Sequence, residues 1–292
     1  MPELPDLAVY LESLQSRIAG RTLAAIGLAN PFLLRTAVPP IAAAEGRKVV
    51  GLRRLGKRIV IALEGELFLV LHLMIAGRLQ WLEGSAKARN TLARFEFDNG
   101  TLAFTEAGTK RRASLHLVQG EAALKAMDPG GLEFSGMSEE VFRTQLQKEN
   151  HTLKRALTDP RLFAGIGNAY SDEILHRARL SPVALTSQLK DEEAHRLYLA
   201  SLAILKEWTE KLREEAKGAV PAKVTAFREG MAVHGRYGHP CPVCGAPVQR
   251  IVYAENETNY CARCQTGGRI LADRALSRLL KKSWPRSIDE LG

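Results

Sequence analysis

The stretch KVVGLRRLGKRIVIALEGELFLVLHL, residues 48–73, contains three short β-type runs in close succession. Its apolar and β-branched residues form the runs Lys48–Leu55, Arg58–Leu63 and Leu67–Leu73, each of strand length. Farther along, Asp98-Asn99-Gly100 separates two similar runs with the residue types of a hairpin turn. Closely spaced strands with such turn signals predict an antiparallel sandwich or barrel. The later runs are Arg78–Leu82, Ala93–Phe97, Thr101–Thr105 and Ser114–Val118.

Helical periodicity flanks this β-region on both sides. Before it, apolar residues recur at alternating steps of three and four and stop ahead of Gly20, which predicts an opening helix. After Gly130 the pattern becomes helical again. The predicted fold class is multidomain α+β, with an N-terminal antiparallel β-sandwich, a helical domain and a cysteine-containing module. The predicted helices are Leu4–Ile18, His151–Leu157, Ala169–Ala178 and one from Asp191 to just before Gly218.

The composition is that of a globular protein with an acidic partner. The 292 residues are 46% hydrophobic and 25% charged, which excludes disordered and collagen-like chains. No apolar stretch approaches the ~20 residues of a membrane helix, and MPELPDLAVY lacks the basic start of a secretory signal, so a cytoplasmic location is expected. The 41 Lys+Arg against 32 Asp+Glu give a net charge of +9, which favours a partner such as nucleic acid.

All four cysteines lie in two pairs, Cys241-Pro-Val-Cys244 and Cys261-Ala-Arg-Cys264. Two residues between thiolates let both sulfurs reach one ion, and two such pairs complete the tetrahedral shell that zinc prefers. Four protein ligands leave no open position for a substrate, so the predicted cofactor is one structural zinc ion. The alternative is a set of buried or redox-active cysteines, although a redox pair typically occurs once and within a βαβ pattern.

The N-terminus offers a reactive group. If Met1 is removed, Pro2 becomes a secondary amine that attacks aldehyde-like carbons and is partly neutral near pH 7. Glu3 then places a carboxyl beside it as acid or base. The alternative is structural: Pro2 and Pro5 start the first helix, and Glu3 interacts with its dipole.

Five segments, in chain order, resemble the formamidopyrimidine-DNA glycosylase/endonuclease VIII family, the DNA glycosylases with a helix-two-turn-helix motif and a zinc finger. They span most of the chain, and their conjunction is more specific than any one of them. The segments are Met1-Pro-Glu-Leu-Pro-Asp6, Arg53-Arg-Leu-Gly-Lys-Arg58, His72-Leu-Met-Ile-Ala-Gly-Arg-Leu79, Ala164-Gly-Ile-Gly-Asn-Ala-Tyr170 and the two cysteine pairs.

The resemblance implies a bifunctional DNA glycosylase and AP lyase of base-excision repair. Deprotonated Pro2 would attack C1′ of the damaged nucleotide, displace the base and form an imine, after which β-elimination cuts the strand 3′ of the lesion. Glu3 would assist opening of the sugar ring. Lys57 would contact phosphate near the lesion and support elimination, with Arg54 and Arg58 as alternative phosphate ligands. The partner would be double-stranded DNA with damaged bases or abasic sites. The protein would bind it as a monomer, and no membrane partner is expected.

Further residues are expected to bind this DNA. The two glycines of Gly165-Ile-Gly-Asn168 permit close backbone approach, the amides that open the next helix receive a phosphate oxygen, and Asn168 adds a side-chain donor. Lys154, one helix earlier, is expected to be a second phosphate ligand. His72 is either a DNA contact or a buried core histidine.

A flipped nucleotide leaves a hole in the duplex that the protein has to fill. Ile75 stands where the family has an inserted methionine, and Met74 lies one position earlier. Either is a candidate wedge or a core residue. The family's arginine-phenylalanine loop is replaced by residues 105–114, in which Arg111 is the best candidate to face the orphaned base.

Two other departures mark an atypical member. Asn256 stands where the zinc finger carries its arginine, which puts δ-elimination and the grip on the lesion strand in question. Residues 217–221 replace the Gly-Gly-Thr-Thr-type loop that caps oxidised guanine, so recognition of 8-oxoguanine does not carry over.

The predicted domain boundaries are 1–130 for the catalytic β-sandwich, 131–232 for the helix-two-turn-helix domain, 233–266 for the zinc finger and 267–292 for a basic amphipathic tail. The tail either reaches DNA phosphates or packs on the zinc module. Two rival functions stay open: an AP lyase of narrow base specificity, and a non-catalytic protein that binds damaged DNA.

Overall fold

The computed structural model describes residues 1–84, 86, 88–108, 110–221, 224–225, 227–253, 256–273, 277–279 and 284–291. Within these ranges, no helix combines the length and the apolar character needed to cross a membrane. Much of the predicted tail helix lies outside the described residues, including Arg274, Leu276, Leu280, Lys281 and Lys282.

The opening helix α1 spans Leu4–Ile18, as predicted. Its start is fixed because the Asp6 carboxylate accepts a hydrogen bond from the Glu3 backbone N–H at 2.8 Å. Leu7, Leu14 and Ile18 are fully buried along one face. The strands that follow are β1 (Thr22–Leu23), β2 (Ala25–Leu28), β3 (Arg47–Leu55), β4 (Arg58–Leu63), β5 (Leu67–His72), β6 (Gly77–Leu82), β7 (Thr91–Phe97), β8 (Gly100–Glu106) and β9 (Ser114–Gln119).

The strands form two antiparallel sheets that share one core, which confirms the predicted sandwich. One sheet has the order β1-β3-β4-β5-β9 and the other β2-β7-β8-β6. Ile61 of the first sheet, Phe104 of the second and Leu14 of α1 belong to the same buried cluster. The strands β1 and β2 were not predicted, because runs of two and four residues carry little periodicity.

The central strands β4 and β5 are apolar on both faces because both faces are covered. Ile59 and Ile61 face the shared core. Val60 and Phe68 pack instead with Leu124, which belongs to the short helix α2 at Glu121–Lys125. This explains the nearly continuous apolar run from which the β-region was predicted.

The second half of the chain has its four main helices between Glu139 and Ala216, and a small β-hairpin follows at residues 249–260. Thr152 caps the helix Leu153–Thr158 (α4) by accepting from the Arg155 N–H, so this helix starts two residues later than predicted, whereas the long helix Asp191–Ala216 (α6) matches its prediction. Its elements are α3 (Glu139–Gln147), α4 (Leu153–Thr158), α5 (Asn168–Ala178), α6 (Asp191–Ala216), β10 (Gln249–Tyr253), β11 (Asn256–Tyr260) and α7 (Ala262–Thr266).

The chain divides into two compact units. The first comprises residues 1–129 and 208–225, and the second comprises 130–207 and 226–292. The finer division at residues 130, 232 and 266 stays a prediction. In the second unit, Leu271 and Ile288 from the tail are buried in the core of the cysteine module, beside Val248 and Tyr260.

Candidate active site and metal centre

The N-terminus is held inside the first unit. Pro2 and Glu3 are buried, with Glu3 only 3% exposed. Burial lowers the pKa of the Met1 amine below its usual 8.0, and the charges that act on it are, in order, Glu3, Arg78, Asp6 and Lys57. These residues therefore surround the chain terminus, and burial favours the neutral, nucleophilic form of an amine at this place.

Lys57 and His72 reach the same place from neighbouring strands. Lys57 follows Gly56, which has a φ of +59°, in the turn between β3 and β4. Burial, together with the nearby charges of Arg58, Lys57, His116 and the chain N-terminus, lowers the pKa of His72 to about 4. The sequence-predicted residues Glu3, Lys57 and His72 are thus brought together around the N-terminus.

The hydrogen bonding of His72 shows which of its two ring nitrogens carries the proton. The Nδ1 atom accepts from the Met74 backbone N–H at 3.3 Å. A neutral imidazole that accepts at Nδ1 carries its proton on Nε2. His72 is therefore a neutral ring that carries its N–H on Nε2.

This environment predicts a pH dependence of stability. The pKa of His72 falls from 6.5 in the unfolded chain to about 4 in the folded protein, so the unfolded chain binds the extra proton between these values. Wild-type stability should fall by about 2–3 kcal/mol between pH 7 and pH 4.5 from this residue alone. In His72→Gln this decrease in the free energy of unfolding between pH 7 and pH 4.5 should be about 2–3 kcal/mol smaller than in wild type. Urea unfolding at both pH values measures it. His239→Gln, at an exposed histidine, should behave like wild type.

The β5–β6 turn, residues 73–76, presents Ile75 to solvent. The Gly77 N–H donates to the Leu73 carbonyl at 2.8 Å, and a Cβ on Gly77 would meet that oxygen at 2.2 Å, so only glycine fits. One guanidinium nitrogen of Arg78 donates to the carbonyls of Ile75 and Gly77, at 3.0 and 2.5 Å. Ile75 is 59% exposed, whereas Met74 is half-buried. Of the two candidate wedges, Ile75 is the one that projects.

Arg111 lies in the exposed loop between β8 and β9. The loop is anchored by Glu106, which is 2% exposed and whose carboxylate accepts from the Arg112 and Ala113 N–H groups at 2.9 and 3.2 Å. Arg111 itself is exposed, and Thr109 lies outside the described residues. A loop that is anchored by Glu106 and exposes the basic side chain of Arg111 is suited to bind a ligand.

The loop that precedes α5 is held by contacts from both sides. The Lys154 ammonium donates to the Asn168 carbonyl at 2.7 Å and to Asp172 at 2.5 Å. The Asn168 amide donates to the Glu257 carbonyl on β11 at 2.6 Å. Because the Lys154 side chain is 13% exposed and paired, its direct contact with phosphate stays a prediction. The contacts establish that Lys154 and Asn168 support one loop.

Two buried carboxylates on α5 were missed by sequence reasoning. The Asp172 carboxylate also accepts from the His234 Nδ1–H at 2.7 Å and from the Asn259 N–H at 3.1 Å. Glu173 accepts from the N–H groups of residues 232–234, and burial raises its pKa although these three bonds oppose the rise. Charged residues in mid-helix are typical of a solvated face, and only the fold reveals their distant partners.

The four cysteines fit a zinc ion. Their sulfur atoms all lie within 4.8 Å of one another. A tetrahedron with Zn–S bonds of about 2.3 Å requires sulfur separations of about 3.8 Å. The Cys241–Cys264 and Cys244–Cys261 separations are 3.9 and 3.4 Å, so one ion fits with small adjustments. Asn256 begins β11 and is exposed, at the position where an arginine was expected.

Comparison with known families matches three segments of the chain. Residues 1–113 match the formamidopyrimidine-DNA glycosylase N-terminal domain. Residues 127–216 match the H2TH (helix-two-turn-helix) domain of formamidopyrimidine-DNA glycosylase, and residues 238–267 match the zinc finger found in FPG and IleRS. The matches follow one another in the order that the sequence motifs indicated.

Whole-length relatives carry the same description. The formamidopyrimidine-DNA glycosylase of Heliobacterium modesticaldum is 35% identical over 281 residues, which cover 91% of this chain and 100% of the relative. That of Thermus thermophilus is 35% identical over 283 residues, 92% of this chain and 100% of the relative.

Solved structures agree with the sequence relatives. The crystal structure of MutM (Fpg) from Thermus thermophilus has a TM-score of 0.77 at 33% identity, covering 90% of this chain and 98% of that one. A complex of Lactococcus lactis Fpg with abasic-site DNA has a TM-score of 0.80 at 26% identity, covering 90% and 99%. The chain belongs to the formamidopyrimidine-DNA glycosylase family.

Proposed function

We propose that this protein removes a damaged base from double-stranded DNA and then cuts the strand at the resulting abasic site, with Pro2 as its nucleophile. DNA glycosylase and AP lyase activities belong to the family. The observation that carries the residue assignment is the convergence of Glu3, Lys57 and Arg78 on the chain terminus, where Pro2 is buried. Burial lowers the pKa of an amine at this place, although Glu3 opposes the shift, and so favours the neutral form that a nucleophile requires.

The reaction begins once Met1 is removed. The lone pair of the Pro2 nitrogen attacks C1′ of the damaged nucleotide, and the C1′–base bond breaks with its electron pair leaving on the base. The proton that the Pro2 nitrogen then loses neutralises the departing base. Glu3 supplies a proton to the ring oxygen, which opens the sugar and leaves an iminium between Pro2 and C1′. Glu3 is suited to this role because it adjoins Pro2 and is shielded from solvent.

Strand cleavage follows from the iminium. The positive nitrogen makes the C2′ proton acidic, and loss of that proton expels the 3′ phosphate by breaking the C3′–O bond. Water then hydrolyses the imine and regenerates the Pro2 amine. Lys57 would hold the phosphate near the lesion, and His72 Nε2–H would donate a neutral hydrogen bond beside it.

The second unit would bind the DNA backbone through the loop before α5. The first amides of α5 and the Asn168 side chain would receive a phosphate oxygen at a helix N-terminus. Lys154 would support this loop through the Asn168 carbonyl and contribute positive charge. Salt-dependent affinity is the expected consequence.

Ile75 and Arg111 would fill the space left by the flipped nucleotide. Ile75→Ala should reduce base excision about tenfold or more, because it removes apolar surface that enters the base stack. Its unfolding free energy should change by less than about 0.5 kcal/mol, since the side chain is exposed. Single-turnover excision and urea unfolding are the measurements. Val50→Ala, at a 63% exposed residue of β3, is the matched control, and equal losses in both variants would contradict the wedge.

The protein would also carry a structural metal ion. The zinc finger would hold one structural Zn²⁺ ion through Cys241, Cys244, Cys261 and Cys264. The protein would act as a monomer in the cytoplasm, associated with the nucleoid in a bacterium. The domains would be the catalytic sandwich at 1–130, the helix-two-turn-helix domain at 131–232, the zinc finger at 233–266 and the tail at 267–292.

Borohydride trapping tests the proposal against its rivals. The full chain is incubated with duplex DNA containing one abasic site and reduced with borohydride, which fixes an imine as a stable amine. A covalent protein–DNA adduct is expected. Binding without an adduct, from protein whose Met1 is removed, would favour the non-catalytic damaged-DNA binder. If the protein forms the adduct on abasic-site DNA but excises no base from a panel of DNAs with different damaged bases, the AP lyase of narrow specificity is favoured.

A further inference from the structure

His176 lies against the cysteine cluster, although no sequence motif pointed to it. It occupies the last turn of α5 and is 6% exposed. Its Nε2 atom is 3.3 Å from the Cys241 sulfur. An imidazole nitrogen at this distance from a sulfur is within hydrogen-bond reach, and a buried ring that touches a metal ligand invites a functional explanation.

The geometry separates two possible roles for the ring. A zinc ligand would have to approach the whole group, but among the described residues the potential ligand atoms that lie within 4.8 Å of one another are those of the four cysteines, and His176 is not among them. The sulfurs complete a tetrahedral shell without His176. His176 is thus positioned outside the shell, as a donor to one of its ligands.

We propose that His176 donates its Nε2–H to the zinc-bound thiolate of Cys241 and so slows the loss of zinc. Four thiolates around Zn²⁺ carry a net charge of −2, and Cys241 is only 3% exposed, so water is poorly placed to solvate its sulfur. An N–H donor beside a metal ligand disperses this charge and fixes the ligand's orientation. The metal site is thereby tied to a helix of the helix-two-turn-helix region.

The same helix is bound along its length to the cysteine module. At its start Asn168 donates to Glu257, and in its middle Asp172 accepts from Asn259. Just past its end, the Gln265 amide donates to the Leu180 carbonyl at 2.8 Å. Of these contacts, His176–Cys241 is the one that includes a metal ligand. Loss of zinc should therefore weaken the attachment of α5 to the cysteine module.

Zinc release measures the effect directly. The zinc-loaded full chain is mixed with an excess of a chromophoric chelator, and the rate of release is followed. His176→Phe keeps an aromatic ring but has no donor, and should release zinc about tenfold faster or more. His176→Gln keeps an N–H at a similar reach and should stay near the wild-type rate. His239→Phe, at an exposed histidine of the same module, is the control.

Two outcomes would overturn the proposal: a wild-type rate for His176→Phe, or equal acceleration in His176→Phe and His176→Gln, which would indicate packing alone. If His176→Phe does not fold, the wild-type protein decides. With ¹¹³Cd in place of zinc, the His176 Nε2–H proton should show scalar coupling to the metal through the N–H···S bond. A well-resolved imidazole proton without that coupling would refute the hydrogen bond.

Discussion

Protein that retains Met1 is expected to form no borohydride-trapped adduct with abasic-site DNA. The Pro2 nitrogen is then part of a peptide bond, and its lone pair is delocalised and cannot attack C1′. The Met1 amine is displaced by one residue, about 3.8 Å along the chain. Because reaction requires the attacking atom within roughly 3–3.5 Å of its target, this displacement should reduce trapping to background.

Two preparations that differ only in Met1 make the comparison clean. Intact mass identifies each one, and equal affinity for duplex DNA with a reduced, unreactive abasic site shows that folding and binding are unchanged. Trapping should then follow the fraction of processed protein. Equal trapping by both preparations would remove Pro2 from the mechanism and point to a lysine such as Lys57.

Glu3→Gln is expected to reduce base excision by about 10²–10⁴-fold, because the amide cannot transfer the proton that opens the sugar ring. Cleavage at a preformed abasic site should suffer much less, since that sugar already samples its open aldehyde form. The paired measurement is single-turnover excision against single-turnover β-elimination with the same protein. The substitution preserves side-chain size in a buried position, so the fold should tolerate it.

A matched change on the same helix controls for loss of charge. Glu12 pairs with Arg213 at 2.7 Å on the exposed part of α1, and Glu12→Gln should leave excision unaltered. A Glu3→Gln protein that excises within about threefold of wild type would contradict the proton-transfer role. Equal large losses on both substrates would instead assign Glu3 to the elimination step as well.

Local patterns predicted the parts of the fold that depend on nearby residues. The spacing of Cys241, Cys244, Cys261 and Cys264 predicted the sulfur cluster because each pair closes within one turn. The opening helix was predicted from periodicity, and the turn signal at Asp98-Asn99-Gly100 marked the β7–β8 hairpin.

Long-range partners were beyond such reasoning. Arg78 lies near the chain terminus only because the β5–β6 turn folds back, and it was quoted in a motif without a role. The partners of Asp172, His234 and Asn259, lie 62 and 87 positions farther along the chain. The partner of His176, Cys241, lies 65 positions farther along. A mid-helix carboxylate and a lone histidine are typical of many helices, so their identity as partners of the cysteine module required the tertiary structure.

The attachment point of the trapped adduct decides whether Pro2 is the nucleophile. Wild-type protein lacking Met1 is reduced with borohydride on abasic-site DNA, digested with nuclease and protease, and sequenced by mass spectrometry. We expect the deoxyribose remnant on the nitrogen of Pro2, in the peptide that begins the processed protein. A remnant on Lys57 or any other lysine, with Pro2 unmodified, would contradict it.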